Sequence, residues 1–107
     1  MKAMIFNEFG PPGVLHYEEL PDPVAGPDDV VIEVHAVSVN RVLDVAIRAG
    51  TPPHYGVAPP HVLGVDPSGV VVEAGGNVSN LSVGDRVSVT MGMPGGGRYG
   101  IECFGGD

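Results

Sequence analysis

Short apolar runs broken by glycine and proline dominate the chain. Lys2–Asn7 and Val14–Leu20 read as two strands, joined by a turn at Gly10-Pro11-Pro12-Gly13. Pro21–Pro27 is excluded from helix and from a central strand, because each proline removes a ladder donor. Val30–Val39 then forms a long β-branched strand. Its alternation is imperfect, with Val31, Glu33 and His35 on one face and Val30, Ile32, Val34 and Ala36 on the other. That pattern suits a half-buried barrel strand.

One stretch carries a helical signal. Asn40 is a good N-cap, since its side-chain oxygen can reach the free amides of a first turn. Arg41–Ala49 sets Leu43 and Ile47 four residues apart, with Val42, Ala46 and Ala49 along the adjoining stripe. Gly50 suits the residue just past the helix, and Pro52-Pro53 prevent continuation.

Beyond it, a short apolar run from His61 meets Gly64-Val65-Asp66, and Pro67-Ser68-Gly69 leads into Val70-Val71-Val72. A Gly75-Gly76-Asn77 turn follows, and Gly84-Asp85-Arg86-Val87 opens another strand. One helix among six or more strands predicts a mostly-β fold, a small, partly open barrel. Gly92–Gly97 reads as a linker or mobile loop, and Arg98–Asp107 carries no pattern.

Composition narrows the function. At 107 residues the expectation is a single domain, and 43% hydrophobic residues favour a folded state over disorder. A net charge of −8, with cationic residues in no run or stripe, argues against nucleic acid and anionic membranes as partners. The lone Cys103 excludes an internal disulfide and a four-cysteine zinc site. No apolar run approaches the ~20 residues of a membrane span, and the opening MKAMIFNEFG lacks a signal peptide's apolar stretch. A reducing cytoplasm is the expected setting.

Reactive residues are sparse. His16, His35, His54 and His61 are scattered, and exposed or hydrogen-bonded roles account for them better than a metal site. Ser68 has no histidine and aspartate partner at recognisable spacing, and Cys103 has no activating cation nearby beyond Arg98. Gly95-Gly96-Gly97 precedes no helical pattern, so it is no phosphate-binding loop.

Three segments in order, MKAMIFNEFGPPGVLHYEELPDPVAGPDDVVIEVHAVSVN, RVLDVAIRAG and HVLGVDPSGVVVEAGGNVSNLSVGDRV, resemble the N-terminal GroES-like domain of the medium-chain dehydrogenase/reductase family. The resemblance implies a GroES-like, partly open β-barrel over residues 1–107, forming the substrate side of a cleft. It also implies a Rossmann domain that binds NAD(P)H, which these residues do not include and which is expected in cis or in trans. Zinc-dependent members ligate the metal through a Cys before the short helix and the His of a Gly-His-Glu triplet. Here those positions hold Asn40 and Val65, so the chain looks like the zinc-independent, quinone-oxidoreductase-like branch, with no metal ligands.

Further roles follow from the same resemblance. Asn40 and Asp44 match positions near the nicotinamide and substrate and are the candidate catalytic residues, although the spacing from Asn40 to Asp44 is one residue longer than the family's. Asn40 could equally serve only as N-cap, and Asp44 as a solvated carboxylate. Arg41 matches a cation near the cofactor pyrophosphate, for which its rigid fork of donors is suited. Tyr55, Val65 and Asp66 fall where the family shapes its substrate pocket. The expected activity is reduction of quinones, enones or related carbonyl compounds by hydride transfer, with the isolated chain inactive. The alternative is a non-catalytic binding or assembly module, since GroES itself is such a barrel. Apolar surface left by a missing cofactor domain, including Met91–Met93, would favour homo-oligomers.

Overall fold

A computed structural model describes residues 1–52 and 56–90. In chain order the elements are β1 (Lys2–Phe6), a single 3₁₀ turn (Pro12–Val14), β2 (His16–Glu19), β3 (Val30–Val37), α1 (Arg41–Ala49), β4 (His61–Val62), β5 (Pro67–Ala74) and β6 (Arg86–Ser88). The strands make two antiparallel three-stranded sheets, ordered β2-β1-β4 and β3-β5-β6, that do not close on one another. This is the mostly-β, partly open barrel with one short helix that the strand-and-turn pattern predicts.

The strand readings hold with shortened ends. The expected turn at Gly10–Gly13 overlaps a 3₁₀ turn at Pro12–Val14, which delays β2 to His16. In β3 the strict alternation fails for a specific reason. Its pairing with β5 slips between Val31 and Ile32 and again between Val34 and Ala36, and each slip turns the following residues relative to the sheet faces. Gly69 sits opposite Val34, and a Cβ there would collide with the Glu33 carbonyl, so only glycine lets the two strands approach this closely. The Pro21–Pro27 segment stays irregular, as its prolines require. Its end and the two residues after it lie against the Gly75–Asn77 turn: the Asn77 N–H donates to Pro27 O and the Gly75 N–H to Asp29 O, each at 2.8 Å.

The helix has both caps that its sequence announces. The Asn40 side chain accepts from Leu43 N, and Gly50 adopts φ 71°, a left-handed conformation that glycine alone reaches without steric cost. Its buried face is Leu43, Ala46 and Ile47. Val42 departs from the expected apolar stripe: it is 72% exposed, because the inward stripe is centred on Leu43–Ile47 and Val42 falls beyond its edge. Leu43 and Ile47 join Phe6, Val57 and Val65 in the core, with Val14, Leu15 and Leu63 packed around them. Burying a side chain such as Ile47 contributes about 1.5–3 kcal/mol, so this cluster holds α1 against the strands and fixes the position of its N-terminus.

Candidate functional site

The N-terminus of α1 and the loop leading into β5 meet at one place. The Asn40 side-chain oxygen accepts from the Leu43 N–H at 3.1 Å, satisfying one free amide of the first turn. Asp44 reaches back so that its Oδ2 accepts from the Asn40 N–H at 2.8 Å. The two residues thus cap the helix reciprocally, by the logic of a capping box. With its oxygen so engaged, the exposed Asn40 carries an amide NH₂ whose two protons are available to an acceptor.

Asp44 is an uncommon carboxylate. Its Oδ1 is buried without a hydrogen-bond partner. Burial pushes its carboxyl above the ordinary value, the Asn40 N–H bond opposes that rise, and the negative charge of Asp66 adds to it. One turn along, at the spacing that places side chains on one face, Arg48 Nη1 is also buried without a partner.

Asp66 enters from the segment before β5. Its Oδ2 accepts from the Ser38 hydroxyl at 3.0 Å, and its carbonyl accepts from Ser38 N–H at 3.4 Å. Ser38 lies just past β3, so this contact ties the strand that leads into α1 to the start of β5. Three of the sequence-derived candidates, Asn40, Asp44 and Asp66, therefore converge, and Ser38 joins them. Sequence reasoning missed Ser38, because a contact spanning 28 residues leaves no local signature.

The other candidates lie elsewhere. Val65 is 3% exposed and packs within the core, so its side chain meets Phe6, Leu43, Ile47 and Val57. Arg41 is exposed and borders a shallow groove of about 360 Å³ lined also by Val42, Val45, Ala46, Thr51 and Pro52. Tyr55, Met91–Met93, Gly92–Gly97, Arg98 and Cys103 fall outside the described residues. A second groove, about 450 Å³, lies on the β3-β5-β6 sheet beside His35, Ser68 and Arg86. Neither of these two grooves is lined by Asp44 or Asp66.

The described histidines serve local structure, and His54 lies outside the described residues. His16 contacts Glu18 at 2.9 Å and His35 contacts Glu33 at 3.2 Å, both at the surface. His61 is buried, its ring edge-on to Phe6 at 6.0 Å between centroids. Among the described residues no group of three or more histidine, cysteine, aspartate or glutamate side chains could hold a metal ion. No helix among them is long and apolar enough to cross a membrane.

Residues 26–105 match the alcohol dehydrogenase GroES-like domain. The chain belongs to that family, the GroES-like domain of the medium-chain dehydrogenases/reductases. It is 39% identical over 83 residues to the sorbitol dehydrogenase of Ovis aries, covering 78% of this chain and 23% of the relative. It is 35% identical over 99 residues to the quinone oxidoreductase of Sus scrofa, covering 90% and 29%. Among solved structures, an NAD-dependent alcohol dehydrogenase superposes with a TM-score of 0.77 at 38% identity, over 87% of this chain and 26% of that one. The chain thus spans about a quarter of the length of these relatives.

Proposed function

We propose that this chain is the substrate-side domain of an NAD(P)H-dependent oxidoreductase that reduces quinones, enones or related carbonyl compounds without zinc. The cofactor domain lies in cis or in trans. Family membership supports the oxidoreductase lineage. The branch rests on one observation: the two positions that ligate metal in zinc-dependent members are Asn40, whose side-chain oxygen caps α1, and Val65, whose side chain lies in the core. Neither offers a metal the donor that a catalytic zinc needs, so zinc does not fit this corner of the chain. Overall likeness does not choose between branches, since the sorbitol dehydrogenase and the quinone oxidoreductase are 39% and 35% identical.

When bound, NAD(P)H supplies the hydride. The described residues offer it a single cation at the right end of α1, Arg41, with no glycine-rich cradle of their own. The remaining chemistry falls to the site residues. The Asn40 amide protons face the substrate oxygen and stabilise negative charge as it develops there, the role of an oxyanion-hole donor. Asp44, held by the Asn40 N–H and raised by burial, keeps a proton to higher pH than an ordinary carboxyl and can exchange it with that oxygen. Asp66 shapes the substrate side, and Val65 backs it from the core.

Asn40→Asp in the whole gene product tests this reading, because aspartate caps a helix as well as asparagine but has no amide protons. The expected result is a loss of roughly 10²–10³ in kcat for quinone reduction with thermal stability retained. Unchanged kcat would remove Asn40 from the chemistry.

A further inference from the structure

We propose that Ser38 is a positioning residue of this site: its hydroxyl fixes the Asp66 carboxylate so that the negative charge stays turned toward Asp44. The proposal rests on the reading of the α1 N-terminus as the functional site.

The local chain shows what the tie does. At the start of β5 the Pro67 carbonyl faces β6 and accepts from the Val89 N–H at 2.9 Å, so the neighbouring Asp66 carbonyl faces β3, where Ser38 meets it. The Ser38 N–H donates to the Asp66 carbonyl at 3.4 Å, extending the ladder past the Val37–Pro67 pair, and its hydroxyl donates to Asp66 Oδ2 at 3.0 Å. The first bond places the Asp66 backbone; only the second restricts where its carboxylate points.

Both residues are exposed, and a hydrogen bond in such a place contributes little net stability. Its effect is orientational. An unrestrained aspartate beside another carboxylate would turn into solvent, since like charges repel and water screens them best when apart. Asp66 instead adds to the upward displacement of Asp44. The charged groups around Asp44 are Arg41 and Arg48, within a turn on its own helix, and Asp66 from the neighbouring segment. Burial is the largest cause of that displacement; of the charged groups only Asp66 adds to it, so the orientation of Asp66 adjusts how firmly Asp44 holds a proton.

The test is a carboxyl ¹³C NMR titration of Asp44 and Asp66 in the whole gene product, without cofactor or substrate. Ser38→Ala is expected to lower the Asp44 midpoint by a few tenths of a pH unit, and Ser38→Thr, which keeps the hydroxyl, to restore it. Asp66→Asn, which removes the charge directly, is expected to move Asp44 in the same direction. An Asp44 midpoint unmoved or raised in Ser38→Ala overturns the proposal, whether or not Asp66→Asn lowers it. Because no turnover is measured, this failure is distinct from failure of the oxidoreductase reading, which Asn40→Asp kinetics decides.

Discussion

Asn40 and Asp44 exchange two hydrogen bonds: the Asp44 N–H donates to the Asn40 carbonyl, and the Asn40 N–H donates to the Asp44 carboxylate, each at 2.8 Å. The first is an ordinary helical bond. The second makes the proposed site and the helix cap the same object, so on the proposed reading a change at either residue acts on both folding and chemistry. Separating the two effects requires substitutions that retain one and remove the other.

Asn40→Ala removes the cap and the amide donor together. It is expected to cost about 1 kcal/mol of stability, read by chemical denaturation, whereas Asn40→Asp keeps stability near the parent. Equal losses in the two variants would mean that the cap bond contributes nothing.

Asp44 gives the stability a pH dependence of definite sign. Its carboxyl lies above its ordinary value when folded, so the folded state holds this proton more tightly than the unfolded chain. Stability from this group is present in full below the ordinary carboxylate value and is lost as pH rises through the raised one. Asp44→Asn keeps a side-chain oxygen for the Asn40 N–H but cannot ionise. Its stability relative to the parent is therefore expected to rise with pH across that window and level off above it, as denaturation at a series of pH values would show. A flat difference would remove Asp44 as the source.

The helix faces make a sharper packing test. Ile47 is 1% exposed and Val42 72%. Ile47→Ala is expected to destabilise the chain by about 2–5 kcal/mol, and Val42→Ala by less than about 0.5 kcal/mol. Comparable losses would mean that α1 is rotated about its axis.

Gly69→Ala tests the β3–β5 approach. The added methyl meets the Glu33 carbonyl, which is backbone and cannot swing aside. The expected cost is about 1–3 kcal/mol. Gly13, where a Cβ meets nothing within 4 Å, is the control. If Gly69→Ala were no worse than Gly13→Ala, the bulged register would be wrong.

Much of this arrangement is legible in the sequence. Asn40 and Gly50 bracket the helix because their preferences are local: one side-chain acceptor within reach of a first-turn amide, and one backbone tolerant of positive φ. Val42 was misassigned because hydrophobicity alone cannot say which of two adjoining stripes meets the core. The slips in β3 depend on how Gly69 lets β5 approach, a property of the partner strand. Ser38 was invisible for the same reason, since its partner Asp66 lies 28 residues away. Local chemistry announces itself in sequence; chemistry assembled across strands does not.

The most direct test of the central claim is NAD(P)H-driven quinone reduction by the whole gene product, assayed before and after exhaustive chelation, with zinc content measured on the same sample. Activity that survives chelation, in a protein holding substoichiometric zinc, is the predicted result. Activity that disappears on chelation and returns when zinc is added would contradict it.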